Sequence, residues 1–247
     1  MGVLMSVFNK EELFLWFKEY QPQMVLNEIT PQTERPGTVY LSPRIEAKGF
    51  YSIMSNNRRY GYELSIVIST NPDEFFIPTV FCIDKKLYPS LHRHILSDRQ
   101  ACLGTILDIV ADTGLDLNFN TFAKIVLDPF IAWQLYYDTF GEPPPWGERK
   151  HGVVGIFQAI EDRLSAKWNI TLDQVHQLIL EKPYSKKKPC FCGSKKQFRY
   201  CHGRPINKIR KTIDKAEIFF RSNRLDKNEK INAMLSRVAL KIIFDIS

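Results

Sequence analysis

The sequence predicts an α+β fold, with an antiparallel β-meander formed early in the chain and helices that flank it. Three observations lead to this class. Apolar residues follow a helical spacing over 9–20, alternate with polar residues over 39–83, and return to helical spacing after Asp128. The strands follow one another too closely for the helical crossovers that parallel strands require. We therefore expect an antiparallel sheet with its helices packed on one side.

The first helix is predicted over Asn9–Tyr20. Its apolar face consists of Leu13, Trp16, Phe17 and Tyr20. Asn9 and Glu12 stand three residues apart at its start, which is the spacing of a capping box. The stretch TPQTERPG is rich in breakers and separates this helix from the predicted sheet.

Three strands, and room for a fourth, are predicted from alternation of period two. The first occupies 39–48, and Pro43 within it indicates an edge of the sheet because proline cannot donate to a ladder. The second occupies 62–69 after a turn at 56–59, and the third occupies 79–83 after a turn at 71–73. Cys82 lies in the third strand and is expected in the core.

Helices are predicted again beyond the sheet. Asp128 and Pro129 are placed to cap and begin a helix, which the run GEPPPWG at 141–147 ends. The apolar face of this helix consists of Phe130, Trp133 and Tyr137. Thr171 and Gln174 have the spacing of a second capping box and predict another helix.

Charge is distributed unevenly along the chain. The net charge is +7, yet residues 181–247 contain 18 Lys and Arg against 6 Asp and Glu, so the remainder is acidic. Pro183 and Lys186–Lys188 mark a basic linker at this change. The C-terminal part is therefore the candidate for an anionic partner.

Composition excludes several classes of protein. With 44% hydrophobic and 13% aromatic residues, the chain is globular rather than disordered. No stretch approaches 18 uninterrupted apolar residues, and the N-terminus MGVLMSVFNKEEL lacks the pattern of a signal peptide. We expect a soluble, cytoplasmic protein without a membrane partner.

Three of the five cysteines form a candidate metal centre. Cys190, Cys192 and Cys201 are followed by His202, and three thiolates with one imidazole suit a closed, structural zinc site. Residues 189–204 resemble the SEC-C motif, which is known from the C-terminus of the SecA translocase and is appended to many other proteins. The residues and the resemblance both imply one structural Zn²⁺.

A fourth cysteine, Cys102, ends a segment without regular periodicity that begins after Ile83. Such segments often contain functional sites. A nucleophilic cysteine needs a thiolate, and an ordinary thiol, with a pKa of about 8.5, is mostly protonated at neutral pH. His92 and His94 lie upstream as candidates for activation or for oxyanion stabilisation. The alternative is that Cys102 is only a core residue.

This segment resembles the ubiquitin-conjugating (UBC) enzymes, whose usual signature is His-Pro-Asn followed by Cys-Leu. His92, Arg93 and His94 occupy the first three positions, and Cys102-Leu103 occupies the last two. The resemblance covers roughly residues 9–165. It is closest to the bacterial conjugating-enzyme-like proteins of antiphage (CBASS-type) operons, which the stretch Trp146–Gly152 also resembles.

The resemblance implies that Cys102 carries an acyl group as a thioester and passes it to a lysine. His92 would order the segment through backbone hydrogen bonds, and His94 would replace the Asn that steadies the oxyanion or the loop. A histidine in that position makes the role sensitive to pH. Arg99 stands where many family members have Gly, so a turn that needs a positive φ is expected to differ here.

The resemblance also implies partners. The chain has no nucleotide-binding motif, so we expect a separate activating enzyme or a donor that is already activated. In the antiphage relatives the implied donor is the C-terminal residue of the operon's cyclic-oligonucleotide synthase (CD-NTase), which is joined to an amine.

We divide the chain into a conjugating-like catalytic domain (1–165), a helix and basic linker (166–188), the SEC-C module (189–204) and a C-terminal helical segment (205–247). Two other functions stay open. One is a catalytically inactive adaptor of the same fold. The other is a zinc-containing nucleic-acid-binding protein, in which Phe198 and Tyr200 lie among the cations. For the zinc module, docking to a protein is favoured over binding to nucleic acid.

Overall fold

The computed structural model describes residues 8–29, 43–71, 77–113, 117–145, 152–175 and 186–207. In these ranges the chain is α+β, as the sequence predicts, and contains a four-stranded antiparallel sheet. The chain divides into two compact units. The sheet unit comprises the described residues up to 145 except Thr105–Asp108, and the C-terminal unit comprises Thr105–Asp108 and the described residues from 152 onward.

The first helix, α1, spans Lys10–Tyr20 and confirms the prediction. Asn9 caps it, because its side-chain oxygen accepts hydrogen bonds from the backbone N–H groups of Glu11 and Glu12. Only Leu13 and Phe17 of the predicted apolar face are buried. The buried face of α1 is therefore narrower than the spacing of its apolar residues suggests.

The strands are β1 (Met24–Ile29), β2 (Arg44–Ser55), β3 (Arg58–Ser69) and β4 (Thr79–Cys82), and they lie side by side in chain order. Asn56 and Asn57 both have positive φ, at 49° and 59°, as the two central residues of a type I′ hairpin turn require. β1 was not predicted. It pairs with β2 on the side away from β3, so the prediction that Pro43 marks an edge strand was wrong: Pro43 precedes a strand that is paired on both sides.

The two-residue period of the sheet is confirmed by burial. Alternate residues of β2 and β3 face the core, which contains Ile45, Ala47, Tyr51, Leu64, Ile66 and Ile68. Cys82 is fully buried among them, as predicted, and burial raises the pKa of its thiol to about 12. This cysteine is therefore chemically inert at neutral pH.

Helix α2 spans Ile106–Thr113, and a longer helix begins at Phe119. The longer helix begins as α3 (Phe119–Phe122), widens into a π turn over Ala123–Leu127 and continues as α4 (Asp128–Phe140). Asn118 caps its start and Gly141, in the left-handed region, ends it.

The prediction that Asp128 caps a helix was wrong, because Asp128 lies inside this longer helix. Its N–H bonds the carbonyl of Ala123, five residues back, and its side chain accepts a hydrogen bond from the hydroxyl of Tyr51. Pro129 has no N–H to give and its ring crowds the carbonyl four residues back, so a wide turn directly before it is the local solution.

Two tyrosines connect α4 to the sheet. Tyr51 and Tyr62 are register partners on β2 and β3. The hydroxyl of Tyr51 donates to Asp128 and that of Tyr62 donates to Asp138, each at 2.7 Å. The helix is thus held to the sheet at two points ten residues, or about 15 Å, apart.

The C-terminal unit contains α5 (Gly152–Trp168) and the predicted capping box, in which Thr171 and Gln174 bond each other's backbone N–H reciprocally. A small apolar cluster of Cys190, Phe198 and Ile206 packs with Trp168 and Ile170 at the end of α5. Residues 208–247, which include most of the predicted C-terminal helical segment, lie outside the described residues. Among the described helices, none is both long enough and apolar enough to cross a membrane.

Candidate functional site

The cysteine turn, which we define as residues 90–102, is tied to the sheet by backbone hydrogen bonds. Ser90 and Ile95 exchange two such bonds and enclose a 3₁₀ turn at Leu91–Arg93. Further along, the N–H of Ala101 donates to the carbonyl of Val80 in β4 at 2.7 Å. The turn is irregular in secondary structure, as predicted, but backbone hydrogen bonds close its first part and join its end to β4.

This fixed path brings Cys102 and His94 together. His94 takes a left-handed conformation, with φ 53°, and its carbonyl accepts a hydrogen bond from the N–H of Cys102 at 2.7 Å. Two of the three predicted site residues are therefore backbone neighbours across the turn. The ring of His94 is half-buried and meets the ring of Trp133 edge to face, with centroids 4.7 Å apart.

The thiol of Cys102 is half-buried rather than enclosed in the core. Burial raises its pKa above the ordinary value of a thiol, and a hydrogen bond from the backbone of Gly104 opposes this effect. The thiol therefore stays mostly protonated at neutral pH, and any reaction at its sulfur needs a base to take up the proton.

His92, the third predicted residue, has an exposed side chain. Its backbone carbonyl accepts a hydrogen bond from the indole N–H of Trp133 at 3.2 Å. The prediction that His92 orders the turn through backbone hydrogen bonds stays a prediction.

Arg93 is the residue that sequence reasoning missed. It is only 5% exposed, and its guanidinium bonds the side chains of Gln134 and Asp138 in α4. The same guanidinium lies over the rings of Tyr88 and Tyr137, with its central carbon 4.7 and 4.5 Å from their centroids. An arginine between two histidines gives no local signal of burial, because its partners come from a helix some 40 residues away.

Arg99 keeps the positive φ that glycine would supply, with φ 70°. We expected the turn to avoid a positive φ without glycine, but the backbone angle φ of Arg99 is positive as that of glycine would be. Its guanidinium donates to three backbone carbonyls, at 2.6 Å to Cys82, 2.6 Å to Asp84 and 2.8 Å to Leu87. These three bonds offset the cost of a left-handed conformation for a residue with a Cβ.

The second site is the cysteine–histidine cluster of the C-terminal unit. The ligating atoms of Cys190, Cys192, Cys201 and His202 all lie within 4.8 Å of one another, an arrangement that can hold one metal ion. Three of the separations are Cys190 Sγ to His202 Nδ1 at 3.2 Å, Cys201 Sγ to His202 Nδ1 at 3.4 Å and Cys192 Sγ to Cys201 Sγ at 3.6 Å. The structure thus brings all four predicted ligands together.

The backbone around the cluster is built for this convergence. Gly193 and Lys195 both have positive φ and turn the chain after the first two cysteines. Gly203, next to His202, has no room for a side chain, because a Cβ there would lie 2.7 Å from the carbonyl oxygen of Phe198.

The pKa values of the cluster shift in different directions. A hydrogen bond with Ser194 is the main cause that lowers the pKa of Cys192 to about 7, and burial lowers the pKa of His202. Burial acts in the other direction on Cys190 and raises its pKa.

The ring of His202 is held between Phe191, stacked at 5.1 Å, and Trp168, edge to face at 4.6 Å.

One stretch that carries the resemblance, Trp146–Gly152, lies outside the described residues except for Gly152. Comparison with protein-family models, with curated proteins and with solved structures gives no match for this chain.

Proposed function

We propose that the protein is a thioester-forming acyltransferase, a conjugating enzyme that uses Cys102 as its nucleophile. The observation that carries the proposal is the hydrogen bond from the N–H of Cys102 to the carbonyl of His94 at 2.7 Å. It holds a half-buried thiol beside the residue that the resemblance assigns to the oxyanion.

The architecture supports the same function. A helix, a four-stranded antiparallel meander, an irregular turn ending at a cysteine and then further helices follow one another in the order expected for a UBC-like fold. Cys82, by contrast, is fully buried with a pKa of about 12, so of the two cysteines in the sheet unit Cys102 is the one suited to react.

The proposed reaction has two steps. In the first, the sulfur of Cys102 attacks the carbonyl carbon of an activated acyl donor. The C–S bond forms, the bond to the activating group breaks, and the thiol proton passes to a base. In the second, the nitrogen of a neutral lysine amine forms the C–N bond, the C–S bond breaks, sulfur leaves as a thiolate, and the proton lost by the nitrogen passes to a base.

The donor must arrive activated, for example as an acyl adenylate made by a separate enzyme. By the resemblance, the donor is the C-terminal acyl group of a cyclic-oligonucleotide synthase, and transfer to a lysine would alter second-messenger production. These partners rest on the resemblance alone.

The test is intact-mass analysis of the protein mixed with the proteins encoded beside it. Wild type should form a thiol-sensitive adduct, Cys102→Ser an ester labile to hydroxide, and Cys102→Ala none. Cys82→Ala is the matched control for losing a thiol and should behave as wild type. A stable complex without any covalent product, formed equally by wild type and Cys102→Ala, would identify a non-catalytic adaptor instead.

The C-terminal cluster is, in this proposal, a structural zinc site. Zinc bound tetrahedrally by thiolates and imidazole separates its ligand atoms by about 3.8 Å for two sulfurs and about 3.6 Å for sulfur and nitrogen, as zinc–ligand bonds of about 2.3 and 2.1 Å require. Three of the six separations in the cluster lie within 0.4 Å of these values, and all six are within 4.8 Å. Four protein ligands fill the tetrahedron, so the metal supplies stability rather than catalysis.

One observation favours a second function for the same module. Residues 186–207 contain seven Lys and Arg and no Asp or Glu. Tyr200 is 63% exposed and Arg199 lies over its ring at 4.5 Å, which gives cations beside an exposed aromatic surface. Binding to single-stranded nucleic acid that weakens with salt, survives Cys102→Ala and is lost in Cys190→Ser would establish this function.

A further inference from the structure

Three consecutive carbonyls of the cysteine turn have separate partners. The carbonyl of His92 accepts from the indole N–H of Trp133 at 3.2 Å, and that of Arg93 accepts from the side-chain amide of Gln134 at 2.6 Å. The third, that of His94, accepts from the N–H of Cys102. Trp133 and Gln134, two adjacent residues of α4, therefore bond the carbonyls of His92 and Arg93. The next carbonyl along the chain, that of His94, bonds Cys102.

The side chain of Gln134 is fixed in place by its burial and its hydrogen bonds. It is completely buried, and both ends of its amide are used on one residue. The amide nitrogen donates to the backbone carbonyl of Arg93, while the amide oxygen accepts from the Arg93 guanidinium at 3.4 Å. A buried amide satisfied in this way permits few alternative positions, because any shift leaves a polar group without a partner.

Trp133 acts on both sides of Arg93. Its indole N–H bonds His92, and its ring meets the ring of His94 edge to face. The left-handed conformation of His94 is unfavourable for a residue with a Cβ, so the contacts around His94 help to hold it. Besides the local bond from the N–H of His94 to the carbonyl of Leu91, contacts from Trp133 and Gln134 reach His94 and the two residues before it.

We infer that Trp133 and Gln134 are positioning residues for acyl transfer: they hold His94 in its left-handed conformation and thereby set its ring and carbonyl relative to Cys102. This inference rests on the proposed function. Neither residue belongs to the signature that the cysteine turn resembles.

The test compares two reactions of the same sulfur. Acylation of Cys102 by 4-nitrophenyl acetate forms the C–S bond, expels 4-nitrophenolate and passes through an oxyanion. Alkylation by iodoacetamide expels iodide without any oxyanion, so its rate depends on the thiolate and its exposure alone. A misplaced His94 should therefore slow acylation and leave alkylation nearly unchanged, whereas a loosened fold should affect both.

The principal variant is Gln134→Glu. Its carboxylate still accepts from the Arg93 guanidinium but places an oxygen, in place of the donor N–H, against the Arg93 carbonyl. We expect acylation to slow by about tenfold and alkylation to change by less than about twofold, a loss smaller than that for deleting an oxyanion donor outright. Trp133→Phe, which keeps a ring beside His94 but loses the bond to His92, serves if the first variant fails to fold.

The matched control is Tyr51→Phe, which removes one hydrogen bond between α4 and the sheet at Asp128, away from the cysteine turn. It should leave the ratio of acylation to alkylation unchanged. An unchanged ratio in Gln134→Glu and Trp133→Phe would overturn the inference while leaving the proposed function intact. If wild type acylates no faster than Cys102→Ala, the proposed function fails, and this inference fails with it.

Discussion

The carbonyl of His94 holds the N–H of Cys102 at 2.7 Å, although seven residues separate them in the chain. The loop between them is itself closed by hydrogen bonds from Leu96 to Gln100 and from Arg99 to Leu96, at 2.9 Å each. The thiol is therefore presented from a rigid turn, while its partial burial keeps it protonated. The position of the Cys102 thiol and its protonation state can be tested separately.

Alkylation of Cys102 should be slow at neutral pH. Burial raises the pKa of this thiol, so the thiolate fraction at pH 7 is smaller than that of an ordinary cysteine with a pKa of about 8.5. We expect the iodoacetamide rate, followed by peptide mass spectrometry, to keep rising above about pH 9. Cys82 should remain unlabelled in the same samples. A plateau reached below about pH 7.5 would contradict the direction of the pKa shift.

Replacing Arg99 should separate two opposing effects. Arg99→Gly removes three hydrogen bonds to backbone carbonyls but relieves the positive φ, so we expect a loss of about 1–3 kcal/mol in the free energy of unfolding. Arg99→Ala should lose about 1 kcal/mol more, because alanine has a Cβ in the left-handed region. Urea unfolding measures both. A glycine variant as stable as wild type would show that the three bonds contribute no more than the strain that glycine relieves.

The cluster at Cys190 should bind one zinc ion per chain. Elemental analysis should find that Cys190→Ser loses the metal, whereas Cys102→Ser, the matched control, keeps it. Lowering the pH should release zinc because thiolates and imidazole must be deprotonated to bind. Metal content that responds equally to both variants would argue against this site.

Zinc removal should also change the fluorescence of Trp168. Its ring stands edge to face with the ring of His202, with centroids 4.6 Å apart, so the indole should report the loss of the ion. Trp168→Phe should abolish the part of the spectral change that follows chelation. If the change persists in that variant, another tryptophan is the reporter and the packing of Trp168 on the metal centre is not as described.

Asp128 should make the protein less stable as pH rises. Burial raises its pKa above 3.8, so between the two values the folded state binds more protons than the unfolded state. The free energy of unfolding therefore falls as pH increases through the raised pKa. Urea unfolding across this range should show the decline in wild type, and Asp128→Asn should lack it.

Tyr51→Phe provides the complementary change. The hydroxyl of Tyr51 lowers the pKa of Asp128 by bonding its carboxylate, so removing it should raise that pKa further and extend the decline to higher pH. A wild-type stability that is flat across the range would show that the carboxylate of Asp128 is as well solvated in the folded chain as in the unfolded one.

The elements that sequence predicts best are those whose pattern is decided locally. The alternation of β3 and the Asn56-Asn57 turn follow from side-chain direction and from residues that tolerate positive φ. The four metal ligands are also local, since a short chain segment brings them together. Each of these features is determined by residues that are close together in the sequence.

The elements that sequence misses depend on distant partners. β1 buries only Met24, so an edge strand that faces solvent shows no alternation. Asp128-Pro129 has the local form of a helix start, yet the preceding residues from Asn118 already supply a capped helix. The burial of Arg93 is decided by Gln134 and Asp138, which no local pattern connects to it.

The π turn at Ala123–Leu127 determines where the long helix can lose a residue without misplacing its side chains. If the same residues formed an uninterrupted α-helix from Phe119, everything after the turn would rotate by about 100° round the axis. The extra residue lets one half of the helix present Phe119 and Phe122 to the core while the other half presents Trp133 and Gln134 to the cysteine turn. A single-residue deletion within 123–127, combined with Pro129→Ala, would therefore preserve both faces, whereas a deletion further along α4 would turn Asp138 away from Arg93.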